Sequence, residues 1–256
     1  MIKLSNRLKC IADKVGSCQS VADIGTDHGK LPIFLLLKHR VSKAILCDIN
    51  VGPLKIARTN IEKLGIKANF EIRKGNGLEN IESREVECIV IAGMGGLLII
   101  DILKHDLAKS FSFQKFVLQP RNGSDKLRKW LFENKFIITD EELIKEGKFI
   151  CEIITVTPST EVESLDGQIE GINLQNSSAL SYEISPILFE KADKLLPEFI
   201  ERKIRVEKKI LKEIESVDNK NKDELLEKSK ARLDLLIYLL NKADGMEVKN
   251  ESRTIS

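Results

Sequence analysis

The chain has 256 residues, 41 Lys+Arg against 39 Asp+Glu, a formal net charge of +2, and 42% hydrophobic, 31% charged and 5% aromatic content. That much apolar content at almost no net charge excludes wholesale disorder and allows a sizeable buried core. The longest apolar and glycine stretch, Ile89 to Ile100, stops at Asp101, short of the ~18 residues that suggest a membrane span. The N-terminal MIKLSNRLKCIADKV has neither the apolar segment nor the cleavage site of a secretory signal, so the protein is expected in the cytoplasm, away from membranes.

A helix is expected over Leu4–Val15. Val- and Ile-rich runs then follow at Ser20–Ile24, Lys43–Asp48, Phe70–Lys74, Cys88–Ala92, Lys115–Gln119 and Ile150–Val156. Between them Lys30–His39, Pro53–Leu64, Gly96–Leu107 and Ser124–Asn134 carry helical spacing. Pro32 and Pro53 fall near first-turn positions, and Ser124 with Asp125 stands where a cap would. Strands this continuously apolar, alternating with helices, predict an α/β fold with a doubly wound, mainly parallel sheet.

After Pro158 the composition shifts. Ser159–Ser185 is rich in Ser, Glu, Gly and Asn and reads as a linker. Beyond Leu188, Leu196, Phe199, Ile200, Ile204, Ile210, Leu211, Ile214 and Val217 form one helical stripe. Leu225, Leu226, Leu233, Leu236, Leu239 and Leu240 form a second. The polar turn Asp218–Lys222 separates them, which predicts an antiparallel, coiled-coil-like helical hairpin whose stripes bury each other. Two domains are expected, 1–157 and 158–256. Their charges differ, with 25 basic against 19 acidic residues in the first and 16 against 20 in the second. The first is modestly basic, compatible with an anionic partner or with ordinary solvated surface. Cys10, Cys18, Cys47, Cys88 and Cys151 form no C-x-x-C pair, so no metal is expected and most read as buried thiols.

The chemistry collects at strand ends. In VADIGTDHGKLP a strand runs into Asp23, then Gly25 and Gly29, then a helix. Glycines at such a turn admit a ligand to the backbone, and exposed turn N–H groups can receive a carboxylate. The dinucleotide fingerprint is absent, because Asp27 would repel a pyrophosphate; Asp23 complements a cationic ligand instead. Asp48 closes the second strand, placed to accept from ribose hydroxyls, with Ile49 after it. Asn76 and Gly77 follow the third strand, where Asn76 can meet an adenine amino group. Gly93, Met94 and Gly95 follow the fourth, and Gln119, Arg121 and Asn122 end the fifth. Asp27 and His28 can equally cap the following helix, Met94 can be core, and Arg121 and Asn122 can contact phosphate or a base.

Together these residues resemble the S-adenosylmethionine-dependent methyltransferase fold. At finer grain VADIGTDHGKLP, Cys47-Asp48-Ile49, GNGLE, IAGMGG, Leu118-Gln-Pro120 and the opening Leu4-Ser-Asn-Arg-Leu8 are similar to the bacterial tRNA (adenine-22-N1)-methyltransferase family. The motifs cover residues 1–157; the hairpin matches the family's C-terminal coiled coil in architecture alone. Two positions depart from the family. Asn76 stands where an aspartate is usual and brings no charge, and Lys30 stands where an aromatic residue is common.

The resemblance implies an enzyme that methylates N1 of an adenosine in tRNA, with S-adenosyl-L-methionine as cofactor and tRNA as partner. Asp23, Gly25, Gly29, Asp48, Ile49, Asn76, Gly77 and Gly93 are then its cofactor contacts. Met94, Gly95, Gln119, Arg121 and Asn122 are its substrate contacts. Asp27 is the candidate electrostatic catalyst, and His28 the candidate to position the base or relay a proton. A monomer is expected. Two readings stand beside this one: a non-catalytic cofactor-binding module that engages a partner through the hairpin, and a methyltransferase acting on another RNA.

Overall fold

The computed structural model describes residues 2–67, 69–159, 182–217 and 221–254. The chain divides into two compact units, Met1–Asp166 and Gly167–Ser256. Much of the expected linker Ser159–Ser185, and residues 218–220 of the expected turn, lie outside the described residues.

The first unit runs α1 (Asn6–Val15), β1 (Ser20–Ile24), α2 (Lys30–Leu37), β2 (Lys43–Asp48), α3 (Val51–Lys63), β3 (Asn69–Lys74), β4 (Cys88–Met94), α4 (Gly96–His105), α5 (Leu107–Ser110), β5 (Lys115–Pro120), α6 (Ser124–Glu133), β6 (Phe136–Glu146) and β7 (Phe149–Pro158). The strands form one sheet in the order β3-β2-β1-β4-β5-β7-β6. Neighbours from β3 to β5 pair in parallel, and β7 runs antiparallel to both β5 and β6. This is the expected α/β, doubly wound arrangement.

The central strands are largely apolar because both faces are covered, with Asp23 in β1 and Gln119 in β5 as buried polar residues towards their C-terminal ends. In β4, Ile89 and Ile91 pack with Phe116, Leu118, Leu103 and Leu127. The alternate residue Val90 joins Val21, Leu46, Ile11, Ile33 and Ile61 on the other face. Burial of this kind contributes roughly 1.5–3 kcal/mol per large apolar side chain.

Two expectations change. Six strands are expected and the described residues form seven, the additional one being β6, with sequence FIITDEELIKE. Its period-2 pattern is broken by a register shift between Ile138 and Asp140, and one of its buried positions is Glu141, only 1% exposed. That carboxylate accepts from buried Arg128 Nε at 2.8 Å, a partner on α6 that strand periodicity does not reveal. Ser124 is not a cap. Gly123, in the left-handed region at φ 63°, holds the N-cap position, and the Ser124 hydroxyl instead donates to Glu152 at 2.6 Å.

In the second unit α7 (Pro186–Glu190) precedes α8 (Leu196–Ser216) and α9 (Lys222–Thr254). Lys222 reaches the Glu215 carbonyl, while Ser229 and Arg232 meet Glu207. Positions rising along α9 meet positions falling along α8, so the pair is antiparallel. Leu196, Phe199, Ile200 and Ile204 of the first stripe are buried, as are Leu236 and Leu239 of the second, whereas Val217 is exposed. Mutual burial therefore concentrates away from the turn. Among the described residues no helix is long and apolar enough to cross a membrane.

Candidate active site

Strand order reverses between β1 and β4, so the loops at their C-terminal ends part and leave a crevice between them. Asp23, Asp48 and Gly93 sit at or near the ends of β1, β2 and β4, on that common edge.

The β1–α2 turn is built tightly. Asp23 is 6% exposed, and its carboxylate accepts from the Thr26 hydroxyl at 2.6 Å. The Gly25 and Thr26 N–H groups both donate to the Cys47 carbonyl at 2.9 Å, so these two are committed to the neighbouring strand end and are not the carboxylate-binding donors the sequence suggested. Gly25 has φ 77°, and a Cβ there would lie 2.3 Å from the Met94 methyl carbon. Met94 thus packs across the turn. Gly29 has φ 68°, and a Cβ would meet Leu46 at 2.8 Å and Ala57 at 3.0 Å, so its smallness serves helix–sheet packing.

His28 takes φ 59°, a strained value for a residue with a side chain. The Asn60 side-chain amide on α3 donates to its carbonyl at 3.0 Å and holds the conformation. His28 Nε2 lies 3.2 Å from Asp27 Oδ1, while its Nδ1 is buried without a hydrogen-bond partner. The Asp27 side chain is 72% exposed. The arrangement makes Asp27 the outward group and His28 its support.

At the end of β2, Asp48 accepts from the Asn50 N–H at 2.7 Å through its side chain, and its carbonyl accepts from the Gly75 N–H at 3.1 Å. Ile49 beside it is 59% exposed, an apolar surface at the crevice edge. Asn76 is exposed, and Gly77, at φ 55°, packs against Ile102.

Gly93, at φ 77°, interrupts the β4–β5 register. A Cβ there would find only Arg7 Nη1 within reach, at 3.9 Å, so the backbone is open to a ligand. A Cβ on Gly95 would meet the Asn122 side-chain oxygen at 3.0 Å, and Gly96 packs against the Asn122 and Gly123 carbonyls. Arg121 and Asn122 are exposed on this rim, with the Arg121 N–H on the Met94 carbonyl at 2.7 Å. Gln119 is placed differently from the expectation. It is 2% exposed; its oxygen accepts from Arg7 Nη1 at 2.8 Å and the Gly93 N–H at 3.2 Å, and its amide donates to the Pro120 carbonyl at 2.8 Å. With both ends of the amide engaged, it clamps the loop.

Arg7 is the residue that reasoning from strand ends missed. It lies in the opening helix, steadied by Glu146 on β6 at 3.6 Å, and its guanidinium reaches the crevice floor. The only signal was its place in the Leu4–Leu8 run.

Electrostatically the crevice favours a cation. Burial pushes the Asp23 carboxyl up to about 6, the Thr26 hydroxyl opposes this, and the Asp48 and Asp27 carboxylates add to the rise. A ligand bringing positive charge beside Asp23 relieves that cost, and Arg7 matches a carboxylate at its other end. Among the described residues no group of three His, Cys, Asp or Glu is placed to hold a metal ion.

A family model described as a methyltransferase domain matches residues 4–154. The tRNA (adenine(22)-N(1))-methyltransferase of Bacillus subtilis is 35% identical over 173 residues, 68% of this chain and 71% of that protein. The crystal structure of the B. subtilis m1A22 tRNA methyltransferase TrmK aligns with a TM-score of 0.81 and 28% identity, over 94% of this chain and 100% of that one. Streptococcus pneumoniae Sp1610 in complex with S-adenosyl-L-methionine aligns with a TM-score of 0.77 and 27% identity, over 93% and 100%.

Proposed function

The chain belongs to the TrmK family of tRNA m1A22 methyltransferases, and from that premise we propose that it transfers the methyl group of S-adenosylmethionine to N1 of adenosine 22 in tRNA. The observation that carries the reading is the crevice itself: Asp23 and Asp48 near adjacent parallel strand ends, on the same sheet edge as the open backbone of Gly93.

When bound, S-adenosylmethionine supplies a methyl group on a positively charged sulfur. Asp48 receives the ribose hydroxyls, Ile49 covers an adenine face, and Asn76 with the Gly77 backbone meets the adenine edge. Asp23 balances positive charge, and Gly25 and Gly93 admit the donor's amino-acid end. Arg7 takes its carboxylate, and Gly29 serves the cofactor site by fixing the turn.

Adenine N1 carries its own lone pair at neutral pH, so no strong base is needed to make the nucleophile. Alignment of the reacting atoms and stabilisation of the charge that builds on the purine then dominate. Asp27 provides that negative potential, and His28 is a positioning residue that holds it. Met94, Gly95, Arg121 and Asn122 receive the target base from the rim, while Gln119 clamps the loop beneath. The N1 edge is used in base pairing, so the nucleotide is opened locally before reaction. Residues 1–157 carry the chemistry, residues 158–256 grip the tRNA body, and a tRNA substrate places the enzyme in the cytoplasm.

The test is incubation with methyl-labelled cofactor and unmodified tRNA, followed by nucleoside analysis. The expected product is N1-methyladenosine, lost when adenosine 22 is replaced by guanosine. Label on another nucleoside, or none, overturns the reading.

A further inference from the structure

Helix α4 begins at Gly96, directly after the Gly93–Gly95 loop at the crevice mouth. Its inner side is complete, with Gly96, Ile99, Ile100, Ile102 and Leu103 all buried. The outer side changes character along its length. From Asp101 onward it is a solvated face, with Lys104 Nζ 2.6 Å from Asp101 Oδ1 and His105 exposed. In the first turn the same side carries Leu97 and Leu98, 56% and 48% exposed. Two adjacent large apolar side chains in water, at one end of an otherwise charged face, carry a hydrophobic cost that is relieved when a partner covers them.

Their neighbours place the pair on the rim that receives the target base. Leu97 follows Gly96, which packs on the Asn122 and Gly123 carbonyls, and Arg121 and Asn122 are exposed there. Leu98 stands four residues before Ile102 and so shares its helix face, one turn nearer the crevice. Ile102 lies against the Gly77 loop, its Cγ2 3.0 Å from where a Cβ on Gly77 would stand. Gly95 holds the N-cap position, and no side chain caps the turn.

We propose that Leu97 and Leu98 form an apolar wedge that enters the RNA where the target nucleotide leaves its stack and covers the base faces its departure exposes. The inference rests on the proposed tRNA methylation and concerns how a paired adenine is brought out. Turning that adenine into the crevice breaks a base pair and its stacking contacts. Apolar side chains inserted between bases restore part of the lost stacking and keep the nucleotide from falling back. Leu97 and Leu98 project from the start of a helix packed on the sheet, so their position is fixed before RNA arrives. The exposed Arg121 cation beside them suits the phosphates that flank an opened nucleotide. Both leucines act on the placement of the base and not on the transfer itself, which makes them positioning residues.

The experiment compares the full chain with the double variant Leu97→Ala/Leu98→Ala on two substrates: tRNA with the target adenosine paired, and the same tRNA with an abasic residue in place of the nucleotide opposite it. Both leucines are exposed, so the fold tolerates the change. Single-turnover methylation of the paired tRNA should fall roughly tenfold, while the abasic-bearing tRNA should react within about twofold of the unmutated rate. Donor affinity should be unchanged, and Leu97→Met/Leu98→Met should restore the rate on the paired tRNA. Equal losses on both substrates, a loss of donor affinity, or no loss at all overturns the wedge. A dimer of the unmutated chain that the double variant loses, read by analytical ultracentrifugation, assigns the pair to a contact between copies and overturns it as well. No methylation of either tRNA by the unmutated chain overturns the proposed function, and the wedge with it.

Discussion

Arg7 Nη1 donates to the Gln119 side-chain oxygen at 2.8 Å, and that same oxygen accepts from the Gly93 N–H at 3.2 Å. The opening helix is thereby joined to the ends of the fourth and fifth strands. A guanidinium so placed is fixed before any ligand arrives, which lowers the cost of ordering it on binding.

If Arg7 receives the donor's carboxylate, Arg7→Gln should weaken S-adenosylmethionine binding by about tenfold, or ~1.4 kcal/mol. The decarboxylated donor analogue should bind the variant and the unmutated protein alike. Calorimetry with both ligands separates the two cases; equal losses for both would assign Arg7 to the loop scaffold alone.

Asp48 is engaged on one side by the Asn50 N–H, which orients the carboxylate at the strand end. Asp48→Ala should reduce donor affinity by roughly tenfold to a hundredfold, the range of one or two hydrogen bonds to a charged group. Unchanged affinity would remove the residue from the site.

For Asp27 the expectation is different in kind. Asp27→Asn should leave donor binding intact and slow single-turnover methylation of tRNA by roughly tenfold or more. His28→Ala should produce a smaller loss of the same type, because it acts on the orientation of Asp27. An undiminished rate in Asp27→Asn would end its electrostatic role.

Burial raises the Asp23 carboxyl from 3.8 to about 6. Between those values the folded chain holds a proton that the unfolded chain has lost, so this group's contribution to stability falls as pH rises. A cationic ligand prefers the ionised form. Donor affinity should therefore rise with pH, by up to about tenfold per unit below about pH 6, and level off above it. Calorimetry from about pH 5 to about pH 7.5 reads the trend, which Asp23→Asn should flatten; a pH-independent affinity would separate Asp23 from the ligand.

Arg128, 3% exposed, is paired with Glu141 and Glu152. Replacing it with Leu strands two carboxylates that lie largely out of water. Urea unfolding should show a loss of about 3–5 kcal/mol, the usual cost of breaking a buried ion pair from one side. A loss under about 1 kcal/mol would mean that water reaches the cluster.

The parallel half of the sheet is legible in the sequence, because strands covered on both faces are largely apolar and runs such as Ala44–Cys47 and Cys88–Ala92 fit little else. The sequence also shows which strand ends carry chemistry, since Asp23, Asp48 and the Gly93–Gly96 run stand directly after apolar runs. The three-dimensional fold is needed where a residue's meaning lies in a distant partner. Glu141 belongs in a strand because Arg128 neutralises it. Gly29 is small because Leu46 and Ala57 press against it. Gln119 clamps rather than recognises, and Arg7 joins the crevice, because the fold brings them within hydrogen-bonding distance across 112 positions of chain. Periodicity records which face of an element is buried; pairing across the fold leaves no period to read.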